Sequence, residues 1–105
     1  MTAPDDIKID PRDHIAMRGF AKNDGAQFGV NLARALIDVF GDKMTKAMAD
    51  KTAPVIVKAI ADRKAHLRED GVAKQWVNLY VRTCLKAYRT TLNAYARSLS
   101  GAKHG

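Results

Sequence analysis

Arg82, Lys86, Arg89 and Arg97 recur at spacings of four, three and eight residues. On a helix turning about 100° per residue they fall, with Asn93, within a band of roughly 80°. Four cations on one strip can bind anions, and phosphates along a nucleic-acid backbone are the commonest long anion. Thr83, Thr90, Asn78 and Asn93 stand close enough in sequence to add neutral phosphate contacts.

The band belongs to a tract without acids. From Gly71 to Gly105 there is no Asp or Glu, while Lys74, Arg82, Lys86, Arg89, Arg97 and Lys103 supply six positive charges. The first seventy residues carry 12 Lys/Arg against 11 Asp/Glu, so nearly all of the net charge of +7 lies in the last third of the chain. A solvated face that keeps the chain soluble would account for scattered charges. Stabilising surface helices, however, interleave acids with bases at i, i+4, because like charges at that spacing repel by a few tenths of a kcal/mol. Arg82 to Lys86 has no such relief. The pattern therefore predicts a polyanionic partner, nucleic acid of either kind, contacted by Arg82, Lys86, Arg89 and Arg97. The alternative is a protein-protein interaction module or inhibitor that docks the same face on an acidic or nucleic-acid-binding surface of another macromolecule.

Catalysis has little to stand on. His14, His66 and His104 are scattered without ligand spacing and Cys84 stands alone, so no metal or other cofactor is expected. No Gly-rich phosphate loop, paired carboxylate with a nearby base, or Ser/His/Asp order is visible; Gly19, Gly25 and Gly29 fit turns and close packing. We expect a non-enzymatic protein. A helix-turn-helix over Met48 to Arg63 would present Val55, Ile56 and Val57 where base-reading side chains belong, and its turn lacks Gly. Trp76 and Tyr80 have the chemistry to stack on bases. They lie away from the cations, on a side that favours core packing.

These residues require helices to hold them. Prolines stand only at positions 4, 11 and 54, and between them run stretches rich in Ala, Leu, Lys, Arg and Met, good helix formers. The expected fold is all-α, a single-domain bundle of four to five helices over residues 1–105, with residues 1–10 a flexible arm and 102–105 a frayed tail. Pro11 suits the first turn of a helix over about 11–21. Asp24 and Gln27 stand at capping-box spacing, which predicts a new start there. Phe28, Leu32, Leu36 and Val39 make the helix at 26–40 the central buried one, ended by Gly41, with Asp42 as the next cap. Thr52 is a second candidate cap, and Pro54 either breaks or kinks what surrounds it. Glu69 and Asp70 suit the start of a helix better than its end, so a boundary is expected near Gly71.

The last helix is expected over 72–99, stopping at Ser100-Gly101. Its seam of Val81, Leu85, Tyr88, Leu92, Tyr95 and Leu99 steps by four and three as in a coiled coil. That seam should pack on the helices at 26–40 and 54–68, or pair two copies in a homodimer. A second strip, Tyr80, Cys84, Ala87, Thr91, Ala94 and Ser98, is made mostly of small residues. No run of eighteen apolar residues is present and none of the chain resembles a leader peptide, so no membrane partner is expected and a cytoplasmic, reducing location is.

Overall fold

Asp13 accepts the Ala16 amide at 3.1 Å and caps the first helix, α1 (His14–Phe40). A one-turn 3-10 helix, Gly41–Lys43, leads to α2 (Lys46–Glu69), and α3 (Lys74–His104) follows. The computed structural model describes residues 12–43 and 45–104, with side chains for all of these except residues 46 and 100–104. The arm expected at residues 1–10 lies outside the described residues.

Among the described residues the fold is all-α, with three long helices rather than four to five. Two expected boundaries are absent. At the first, α1 passes straight through Asn23-Asp24-Gly25, because Asp24 is not used as a cap. Its carboxylate reaches other helices, and Gln27 donates forward to Asn31 Oδ1 at 2.9 Å instead of back toward Asp24. At the second, α2 runs through Pro54 without a break. The ring removes the donor for the carbonyl one turn earlier, but Pro54 is exposed, so that carbonyl can meet water. Thr52 is not a cap; its hydroxyl donates back to the Met48 and Ala49 carbonyls at 3.1 and 3.0 Å. The cap is Thr45, which accepts from the Met48 amide at 3.1 Å; Asp42 sits inside the 3-10 turn.

The glycine boundaries do appear. Gly41 closes α1 at φ 53°, its amide donating to the Ile37 carbonyl. Gly71 closes α2 at φ 87° in a Schellman motif: Val72 N–H donates to Leu67 O and Gly71 N–H to Arg68 O, both at 3.0 Å. The apolar contact that accompanies this motif joins Leu67 and Val72, both buried in the core with Met17, Ala21, Val77 and Tyr80.

α3 begins at Lys74 and continues past Ser100-Gly101 to His104, about 46 Å at 1.5 Å per residue. It packs on α1 by the strip of small residues, not by the seam. A Cβ placed on Gly25 would stand 2.8 Å from the Tyr80 carbonyl oxygen, and one on Gly29 would stand 2.9 Å from the Cys84 carbonyl carbon. Both contacts are backbone, so neither position accepts a side chain while the helices stay this close. Their order, Gly25 to Tyr80 and Gly29 to Cys84, makes α1 and α3 parallel, with α2 antiparallel between their ends. Tyr80 and Cys84 are buried, while all six seam residues are only half-buried. Within the chain, the expectation that the seam is the main packing face is thus corrected: small side chains let backbones approach, and the closest approach decides which face is covered.

Candidate nucleic-acid interface

The parallel pairing of α1 and α3 fixes how the cations are presented. With the Tyr80 strip turned onto α1, the band of Arg82, Lys86, Arg89 and Arg97 lies to one side of that contact, with Lys86 at the edge of α1, and all four side chains are exposed. None takes part in an ion pair among the described residues. Arg97 Nε donates to the Asn93 carbonyl at 3.4 Å on its own helix, leaving the rest of its guanidinium outward.

Three acids elsewhere are engaged with other partners. Lys58 holds Asp62 at 3.1 Å, and His66 lies 3.4 Å from Asp70. Asp24 joins a three-helix network in which Arg63 Nη2 donates to its Oδ2 at 3.1 Å, Tyr80 OH donates to the same oxygen at 2.5 Å, and Arg63 Nε donates to Tyr80 Oη at 3.1 Å. The Arg63 guanidinium also lies 5.9 and 5.6 Å from the ring centres of Phe28 and Tyr80. Burial opposes its charge, yet the hydrogen bonds and charges of Tyr80 and Asp24 hold its pKa above the ordinary arginine value. Burial, and then the bond to Asp24, push the Tyr80 phenol upward. The network ties α1, α2 and α3 at one level and removes one acid from the field of the band.

Beside the band, a shallow groove of about 300 Å³ runs between α1 and α3. Thr83, Lys86, Ala87, Thr90 and Thr91 line it from α3, and Ala26 and Val30 from α1. Thr91 spends its hydroxyl on the Ala87 carbonyl at 2.8 Å. Thr83 and Thr90 stay available next to Lys86, so two of the four neutral contacts expected from the sequence share a groove with one of the cations. Asn78 and Asn93 lie outside it, exposed on α3. The α1 wall of the groove was not foreseen. The available signal was the Gly25/Gly29 pair at the same four-residue spacing as the small strip of α3, which brings Ala26 and Val30 beside Lys86 once the two are paired.

Trp76 is half-buried against the core and donates to His14 Nδ1 at 3.3 Å, and Tyr80 is buried in the Asp24 network. Neither ring faces the cations. Cys84 is buried against α1, its thiol pushed up to about 11 by burial. Among the described residues no group of three His, Cys, Asp or Glu side chains is placed to hold a metal, and no helix is long and apolar enough to cross a membrane. No protein family, curated protein or solved structure gives a significant match to this chain.

Proposed function

We propose that this chain is a small nucleic-acid-binding protein that contacts phosphates through the outer face of α3, with Arg82, Lys86, Arg89 and Arg97 as the contacting cations. The observation that carries the reading is that all four are exposed on one face with no acidic partner among the described residues. Such a face is disfavoured by its own repulsion until an anion neutralises it. Thr83 and Thr90, lining a groove with Lys86, supply the neutral donors that commonly flank phosphate contacts. The binding is electrostatic and weakly sequence-selective, because nothing on the band has the shape of a base-reading fork other than the arginines themselves.

The test is a quadruple reversal, R82E/K86E/R89E/R97E. Helical content and thermal midpoint should change little, since these side chains support no core contact, while co-purifying nucleic acid and binding in low salt should disappear. Retained binding by a folded variant defeats the assignment of this face. A second reading has its own observation: the band adjoins the half-buried seam of Leu85, Tyr88, Leu92 and Tyr95, and an apolar patch rimmed by charge is how protein interfaces are built. Under that reading the cations meet an acidic protein surface. A pull-down from native extract in which a partner of acidic surface survives nuclease, and is lost with the quadruple variant, would favour it.

A further inference from the structure

Resting on the nucleic-acid reading above, we infer that the preferred ligand is double-stranded, bound along its sugar-phosphate backbone by α3 as a straight rod. Three observations lead there. The first is the absence of a stacking platform. Binders of single strands place aromatic rings on which successive bases lie beside the cationic track. Here Trp76 is tied to His14, Tyr80 is buried, and Tyr88 and Tyr95 are on the half-buried seam. No aromatic side chain lies on the band itself.

The second observation is rigidity. The band extends without interruption from Arg82 to Arg97 on one continuous helix, about 22 Å along its axis. Through its first half this helix is clamped to α1 by contacts between backbones at Gly25 and Gly29. A duplex, with a persistence length of about 50 nm, is straight over that distance and offers phosphates without prior ordering. A single strand would first have to be extended against its own entropy, with no stacking contact in return.

The third is the form of the face. An α-helix seated deep in a major groove about 12 Å wide needs polar or cationic groups on both flanks to meet two backbones. The band is flanked by the apolar seam on one side and by the groove of Thr83, Thr90, Ala26 and Val30 on the other. Only the crest is charged. The rod therefore lies on the backbone, with Lys86 and the two threonines, which stand about two turns apart, meeting successive phosphates along the groove, and the arginines spaced on either side of Lys86.

Fluorescence anisotropy of the intact chain with three labelled probes tests this: a DNA duplex of about 20 base pairs, an RNA duplex of equal length, and oligothymidine of equal length, over about 50 to 200 mM salt. At least one duplex should bind about tenfold or more tightly than the single strand. Its log affinity should fall against log salt with a slope of about −3.6, the value for four released phosphate counterions on a duplex. The R82Q/K86Q/R89Q/R97Q variant, checked for unchanged helicity, should lose that slope. The two duplexes, read against each other, tell whether B-form or A-form geometry is the preferred source of phosphates. Oligothymidine bound as tightly as either duplex overturns the inference and leaves the nucleic-acid reading standing. No binding to any probe at the lowest salt overturns both.

Discussion

The two ends of this helical array are packed by different rules. At the end where α2 turns into α3, Met17, Ala21, Leu67, Val72, Val77 and Tyr80 close a core to which all three helices contribute. At the other end, the last turns of α1 and the first half of α2 face each other across an open apolar groove of about 280 Å³, lined by Leu32, Leu36, Val39 and Phe40 on one side and by Thr52, Val55, Ile56 and Ala59 on the other. Val39 is 75% exposed and Val55 68%. The difference lies in what α2 offers inward. Near its C-terminus it presents Ile60, Arg63 and Leu67, long enough to reach both neighbours; toward its N-terminus Ile56 is only half-buried and Val55 exposed, and the Thr52 and Ala59 beside them are small. Stability is therefore concentrated at one end, and the cationic rod of α3 extends from it.

The largest expected effect separates the two ends directly. Leu67→Ala removes a fully buried side chain from the closed end and should cost about 2–5 kcal/mol, because the cavity cannot collapse against a clamped helix pair. Val55→Ala, at the open end, should stay within about 0.5 kcal/mol. Urea midpoints at unchanged m-value measure both. Equal losses would show that the open groove is closed in solution.

Next comes the α1–α3 clamp. Gly29→Ala places a methyl against the backbone of Cys84 and should destabilise by about 1–3 kcal/mol, since no side chain can move aside to admit it. Gly19→Ala, on the same helix with open space around it, should instead stabilise by about 0.5–1 kcal/mol. Opposite signs for one substitution at two positions of one helix are the signature of a close backbone crossing. If both stabilise, the helices do not touch there.

The same positions explain what was legible in the sequence. Gly41 is readable as a helix end because a glycine follows the last apolar position of α1; the boundary near Gly71 is readable from Glu69 and Asp70, although these acids end α2, Asp70 as its C-cap, rather than stand at the start of a new helix. The helical class followed from composition, and the outward band on α3 from its angular spacing. Asp24-Gly25 misled because a cap and a breaker look alike whether they end a helix or meet a distant partner; Arg63 and Tyr80, which hold Asp24, are 39 and 56 residues away. The seam misled for a related reason. Its heptad spacing is the stronger pattern, but the small strip found a glycine-faced partner, and close approach outweighed side-chain size.

The Asp24 network should give a smaller, coupled effect. Arg63→Met leaves the carboxylate hydrogen-bonded to Tyr80 alone, and Tyr80→Phe leaves it on Arg63 alone. Each should cost about 1–2 kcal/mol, moderated because the Asp24 side chain is 42% exposed and water can replace a lost partner. Joined in a double-mutant cycle, the two should be non-additive by about 0.5–1.5 kcal/mol. An additive cycle would mean the contacts act independently.

The last effect is a slope in alkali. Burial holds the Cys84 thiol at about 11 in the folded chain, against an ordinary value of 9.0. As pH rises above about 9 the unfolded chain releases this proton while the folded chain keeps it, so the unfolded state binds fewer protons and folding stability falls. The loss is confined to the window between about 9 and 11. Tyr80, whose phenol is also raised, extends the decline above the ordinary tyrosine range near 10. Cys84→Ala removes the thiol's share, so its urea midpoint should decline less steeply than the parent's between pH 9 and 11 and rejoin the parent's tyrosine-driven slope beyond. Parallel curves through that window would mean the thiol reaches water, and with it that α1 and α3 part at the Gly29 crossing in solution.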